Sequence, residues 1–356
     1  MKSWDVAIVG GGIVGVSLAR ALRKHGASVL IVERGEPGRE ASYAAAGMLA
    51  HCDPQLPEPL QPLATASFAM YREFVHELED ESGLRVDLRL EGCIAFFDRP
   101  AVLPACARPL SDQEVPQLEP KLGAQGLPAY FLPEGSVDPR ALIAASLKAA
   151  KHRGIEVAFG SPAREIETSG GRAVAVKAAK TKYPAAVIVN CCGAWAGQLA
   201  PHHFPTRPIK GQMLALVAPE HGPHGVFIQH VVRAPQVYVV PRSDGRIIVG
   251  STLEDVGFDK RVHAGTIQRL HQAAANLVPE LGQARMLESW AGLRPGTPDH
   301  LPILGATSTS GYYVAAGHYR DGILLAPITA HLMDQVTRGL PPDFDLGCFS
   351  PARFAS

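Results

Sequence analysis

The chain has 356 residues, more than a single hydrophobic core usually serves, so two domains are expected. Hydrophobic residues at 46% and charged residues at 19% match an ordinary globular protein and exclude a disordered chain. With 34 Lys and Arg against 34 Asp and Glu there is no net field to attract nucleic acid or an acidic membrane, and no apolar run approaches the ~18 residues that span a bilayer.

The first element is "WDVAIVGGGIVGVSLARALRKHGASVLIVERG", which reads as strand, tight turn, helix, strand. Val6 to Val9 form a short apolar strand, Ile13 to His25 carry helical periodicity that Gly26 terminates, and Ala27 to Val32 form a second buried strand ending in Glu33. Gly10-x-Gly12-x-x-Gly15 sits at the strand-to-helix turn, where glycine permits the turn, close approach of a pyrophosphate and tight packing of helix on strand. The free N–H groups of the helix start suit phosphate, and Glu33 is placed to accept hydrogen bonds from a ribose and would repel a 2′-phosphate. The unit is therefore a dinucleotide site, which by itself does not separate NAD from FAD. Gly10 to Gly12 and the following Arg20, Arg23 and Lys24 also read against an export signal, so a cytoplasmic protein is expected.

Next comes "REASYAAAGMLA", Arg39 to Ala50, whose small side chains suit either a flat ring or phosphate approaching the backbone, or a small-residue helix packed on a neighbour. "SVDPRALIAASLKAAKHRG" predicts a helix with Asp138 as cap, Pro139 at its first position and Gly154 at its stop. "YPAAVIVNCCGAW" predicts another buried strand ending at Gly193. In "QVYVVPRSDGRIIVGSTL" a two-residue Asp244-Gly245 turn would set Val240 opposite Val249, Tyr238 opposite Ser251 and Gln236 opposite Leu253. "WAGLRPGTPDHLPILG" places Arg294 in an apolar, Pro-rich run, where it is either structural or awaits an anion. No second GxGxxG follows, which makes the substrate itself the electron donor rather than a second nucleotide.

Cys52, Cys93, Cys106 and Cys348 stand apart and Cys191-Cys192 are adjacent, giving neither a disulfide framework nor ligand spacing, so reduced thiols are expected. His221-x-x-His224 with His230 lacks Cys or carboxylate company, so these read as solvated loop histidines and no metal is expected.

With "VAIVGGGIVG", "ASYAAAGML", "VIVNCCGAWAGQL", "KGQML", "WAGLRPGTPD" and "AAGHYRDGILLAP" spread in order along the chain, the sequence resembles the D-amino-acid oxidase superfamily of flavoproteins, and within it the glycine oxidases of thiamine biosynthesis. The resemblance implies an α/β fold with a discontinuous Rossmann-like FAD-binding domain (1–59, 135–207 and 288–356). It also implies a substrate domain on a mainly antiparallel sheet (60–134 and 208–287). FAD is implied to be contacted by Gly10, Gly12, Ile13, Val14, Gly15, Glu33, Arg34, Ala41, Ser42, Ala46, Gly47, Met48, Ala163, His318, Tyr319, Arg320, Asp321, Gly322, Ile323 and Leu324. The substrate is implied to meet Arg294, Arg320, Tyr238 and Leu253, with Arg294 forking onto its carboxylate.

No catalytic acid or base is assigned, because hydride transfer from the α-carbon needs placement more than a protein base. Asp299-His300 is accordingly read as a loop tie. No cysteine lies between Arg294 and Gly305, so FAD is expected to be non-covalent. Asp321, Ala163 and Gln236 depart from the usual Asn, larger aliphatic residue and His of the family, which leaves FAD implied and the choice of amine open. The implied partners are a small amino-acid substrate and O2, with no nucleic acid and no membrane, and a homo-oligomer is compatible. The competing readings are an oxidase or dehydrogenase of sarcosine or small D-amino acids, and a non-catalytic FAD-binding or tRNA-modification module.

Overall fold

The computed structural model describes residues 2–97, 104–179, 181–218 and 227–354. The run Val6-Ala7-Ile8-Val9 is apolar at every position because its strand is covered on both faces. That strand, Trp4–Val9, pairs in parallel with Val29–Val32 on one side and Lys182–Asn190 on the other, and Glu156–Ala158 and Tyr312–Ala316 extend the parallel set. Ile8 and Ile31 face the helices Ile13–Lys24, Gln61–Ser82, Pro139–His152 and Ala326–Thr337, while Ala7, Val9, Leu30 and Val32 face the opposite layer with Tyr312 and Val314. The expected strand, turn, helix and strand at the N-terminus are all present, as is the helix from Pro139, where Asp138 accepts from the N–H groups of Arg140 and Ala141.

The second sheet runs Arg285–Gly296, Arg207–Val217, Arg246–Gly250, Val237–Pro241, Val231–Ala234, Cys93–Phe96, Ala129–Leu132, Arg108–Leu110. Every pairing is antiparallel except Val231–Ala234 with Cys93–Phe96. Helix Ala264–Leu277 buries Ile267, Leu270 and Ala274 on one of its faces. Two segments sit elsewhere than the sequence division puts them. Helix Gln61–Ser82 packs Leu63, Tyr71 and Leu78 into the core of the first sheet, and the strand that carries Arg294 stays in the second sheet as far as Gly296.

Three further expectations are corrected. The hairpin register is one residue off: Tyr238 lies opposite Gly250 and Val240 opposite Ile248. Arg242 N–H donates to Arg246 O, so the loop holds three residues, and Gly245 at φ +86 takes the left-handed position that such a loop requires. Cys52 and Cys106 are not separate thiols but a disulfide, with Cα atoms 6.9 Å apart. His230 is buried rather than solvated, its ring held 2.8 Å from Glu119, whose carboxylate also accepts the N–H groups of Gln229 and His230. His221 and His224 lie outside the described residues, and no metal-binding group of His, Cys, Asp or Glu occurs among those described.

Asp138 ties the two sheets together. One carboxylate oxygen caps the Pro139 helix and the other accepts from Arg246 at 2.6 Å. Burial alone would raise its pKa, but the Arg242 and Arg246 guanidiniums and the capping N–H hold it below the ordinary carboxylate value. Asp138→Ala is expected to cost about 2 kcal/mol or more, a lost cap plus a lost charge-assisted bond to Arg246, which keeps only Asp244, whereas Asp138→Asn keeps the cap and costs less. Urea unfolding of the two variants checks this order.

Candidate active site

Between the two sheets lies a cavity of about 1180 Å³. Its first wall is the turn after Trp4–Val9, at the carboxyl ends of the parallel strands, where open α/β sheets bind ligands. Gly10 and Gly15 are glycine for steric reasons. A Cβ on Gly10 would lie 2.4 Å from Cys191 O, and one on Gly15 would lie 2.1 Å from Gly10 O. Ile13 N–H donates to Ser42 Oγ at 3.0 Å, while the N–H groups of Val14 and Gly15 meet no acceptor among the described residues. Glu33 is oriented by the N–H groups of Gly11 (2.8 Å) and Gly35 (2.9 Å), one on each carboxylate oxygen. Arg34 turns away to Glu40 and lies over the Trp195 ring, 3.5 Å from its centroid.

The second wall comes from the antiparallel sheet, and two of its side chains lie flat across glycines of the neighbouring strand. Arg294 crosses the Arg207–Val217 strand at Gly211, where a Cβ would come within 2.2 Å of Nη1. Beyond it, Nη1 donates to Thr252 O at 3.1 Å and Nη2 to Ser251 Oγ at 2.6 Å. Tyr238 in the same way crosses Gly250, where a Cβ would meet its hydroxyl at 2.4 Å. Arg294 has no acidic partner among the described residues, although it lines the cavity. Behind it, Thr252 Oγ1 (2.5 Å) and Gln212 Nε2 (2.8 Å) donate to Glu254, with the buried Lys210 ammonium 3.6 Å from the same carboxylate. Burial pushes the Glu254 pKa up, but these donors and Lys210 bring it below the ordinary value.

The third wall is the turn His318 to Ile323. Helix Ala326–Thr337 begins only at Ala326, after a turn closed by Leu325 N–H on Asp321 O at 2.8 Å. His318 is bonded to Thr329 (3.0 Å), and burial lowers its pKa to about 4, so it is neutral. Arg320 is exposed and donates to Gln55 at 3.0 Å. The Asp321 carboxyl has no hydrogen-bond partner among the described residues. Burial raises its pKa to about 7, with Arg320 opposing and Asp53 adding to the rise.

The cavity thus gathers the sequence-named Gly10, Gly12, Ile13, Val14, Glu33, Arg34, Ala41, Ser42, Ala46, Gly47, Met48, Ala163, Tyr238, Leu253, Arg294 and His318 to Ile323. Gly15 lies behind the turn, and the Leu324 side chain sits in the first core instead. Leu253 is 65% exposed, so it stands at the rim. Sequence reasoning missed Gln55, Asp53 and Arg233, which enter the cavity from distant loops, and Ser251 and Thr252, which bond Arg294. Asp299 accepts from Arg353 (2.8 Å) and from Leu301 N–H (3.1 Å), the geometry of a loop tie.

A glycine turn too tight for any side chain, unpaired helix-start N–H groups and an oriented acid at the next strand end together fit the pyrophosphate and ribose of a dinucleotide. A second sheet bearing an arginine completes the cavity, so a dinucleotide site and an anion site share it, the arrangement of a nucleotide-dependent enzyme acting on an anionic substrate.

The DAO family of FAD dependent oxidoreductases matches residues 5–336. The chain belongs to that family, and its cofactor is FAD. It is 37% identical to the bifunctional protein ThiO/ThiG of Synechocystis sp., over 98% of this chain and 54% of that one. It therefore spans about half the length of the bifunctional curated relatives it matches. Glycine oxidase of Geobacillus kaustophilus is 34% identical over 98% of this chain and 97% of that protein. The crystal structure of a glycine oxidase from the same organism superposes with a TM-score of 0.91, at 33% identity and 99% coverage of both chains.

Asp321 generates a pH prediction. Its folded pKa lies above the ordinary value of 3.8, so its contribution is full below that pH and is lost as pH rises to about 7. Asp321→Asn is neutral throughout. The gain in melting temperature of the variant over the wild type should therefore grow between those pH values and level off above them. A gain independent of pH would show that Asp321 ionises freely.

Proposed function

We propose that this chain is an FAD-dependent oxidase of glycine or a similar small amino acid. It would convert the substrate, O2 and water by way of an imine to the 2-oxo acid, ammonia and hydrogen peroxide. The observation that carries the reading is Arg294, a guanidinium without an acidic partner among the described residues, held against the cavity by Ser251 and Thr252. A full-length relative named glycine oxidase and a matching structure of the same name support the substrate class. The ThiO/ThiG relatives support supply of the imine to thiamine thiazole synthesis. A cytoplasmic location is part of this proposal, and the Cys52–Cys106 bond is the observation that stands against it.

The residues divide the work. Gly10 to Gly15 and the first turn of the Ile13 helix would hold the pyrophosphate, Glu33 the ribose, and the His318 to Ile323 turn the ring end. Bound FAD supplies the two-electron acceptor that no side chain can provide. Arg294 would fork onto the substrate carboxylate and fix the α-carbon, with Tyr238 bounding the pocket. Burial lowers the His318 pKa to about 4 and its ring is bonded to Thr329, so it is a poor proton acceptor near neutral pH.

Glu33→Ala is expected to weaken FAD binding about ten- to a hundredfold, since one charge-assisted hydrogen bond is lost, with the fold retained. Titration of apoprotein with FAD measures it. Arg294→Ala is expected to lower kcat/KM for glycine at least about a hundredfold with the flavin spectrum nearly unchanged, and Arg294→Lys to recover only part. A small primary amine without a carboxylate is the control. If glycine and the amine lose equally, Arg294 serves the loop or the flavin rather than the carboxylate.

A further inference from the structure

Arg294 does not face the cavity alone. Guanidinium has five N–H donors and no acceptor, so in the 2.6 Å contact Ser251 Oγ must be the acceptor. That contact uses a hydroxyl lone pair and leaves the hydroxyl proton uncommitted. Ser251 donates to no acceptor among the described residues, is only half-buried, and lines the same cavity as Arg294.

Its position is held from behind. Strand Arg246–Gly250 leaves the ladder after Gly250, and the next residues are pinned along the Arg207–Val217 strand. Thr252 Oγ1 accepts from Gln212 N–H at 2.9 Å, and Lys210 and Glu254 exchange backbone hydrogen bonds at 2.9 and 3.0 Å. Ser251 is thus the one residue between the end of the ladder and this anchored stretch, and its side chain turns to the guanidinium. A free hydroxyl proton beside a guanidinium that keeps three unused N–H donors is a donor set for a carboxylate.

We propose that Ser251 is a second ligand of the substrate carboxylate, accepting from Arg294 and donating its own O–H to the carboxylate oxygen nearest Nη2. The proposal rests on the reading that the substrate carboxylate meets Arg294. A residue that only positioned the arginine would act through it, whereas a direct ligand keeps an effect of its own.

The test is titration of the flavin-loaded protein with acetate, the simplest carboxylate, read from the change in flavin absorbance. Ser251→Ala should weaken acetate about tenfold or more, and Ser251→Thr, which keeps the hydroxyl, should bind more tightly than Ser251→Ala. In an Arg294→Lys background, Ser251→Ala should weaken acetate further. If the added loss vanishes in that background, Ser251 acts only through Arg294 and the proposal is overturned. If Ser251→Ala binds acetate like the wild type while Arg294→Lys does not, the proposal falls and the role of Arg294 stands. If Arg294→Lys also binds acetate like the wild type, the carboxylate reading falls and takes this proposal with it.

Discussion

The site depends on one packing constraint: a guanidinium must lie flat across a β-strand. Arg294 starts on the edge strand of the second sheet and ends at Ser251 and Thr252, on the far side of the Arg207–Val217 strand. Any side chain at Gly211 would occupy the space of the guanidinium. The same device recurs one strand on, where Tyr238 lies across Gly250. Two side chains from different strands thereby converge on one floor without a long loop, and sheet-borne groups are held more rigidly than loop-borne ones.

The first sheet contributes in a complementary way. Its inner strands are buried on both faces, so what they offer the cavity is chiefly backbone at their carboxyl ends. Gly10 and Gly15 keep that backbone bare, and Glu33 is the side chain the next strand end presents there. One wall of the cavity is thus built from N–H groups and the other from a cation and hydroxyls. The division suits a cofactor rich in phosphate and a substrate with a single carboxylate.

What could be read in the sequence follows from range. The glycine fingerprint, the Asp138 cap and the Arg294 stretch are local patterns whose steric and hydrogen-bonding reasons act within a few residues. The hairpin failed by one residue because Asp-Gly serves both two- and three-residue loops, and only Gly245 at φ +86 with Arg242 bonded to Arg246 separates them. That slip also set Ser251 opposite Tyr238, when it lies past the end of the ladder and belongs with Arg294. Contacts such as Arg233 with Asp53 and Glu134, Gln55 with Arg320, or Cys52 with Cys106 join residues far apart in the chain, and no spacing rule brings them together.

Those long-range pairs also make the cavity's arginines unequal as partners for an anion. Five arginines line the cavity, but they are not equivalent: Arg34 and Arg164 are exposed, and Arg34 is paired with Glu40. Arg233 is bound at 3.0 Å by both Asp53 and Glu134, so its charge is more than balanced before any ligand arrives. Arg320 is exposed, turned to Gln55, and followed by the unpaired Asp321, so an anion there would meet a screened cation and an acid together. Arg294 alone of the five is half-buried and free of an acidic neighbour among the described residues, with only a carbonyl and a hydroxyl on its N–H groups. On the proposed function, a carboxylate entering the cavity would find uncompensated positive charge at that wall, whereas Arg233 is already neutralised by Asp53 and Glu134. On that reading, the distribution of partners among the arginines, more than their number, would set the orientation of the substrate.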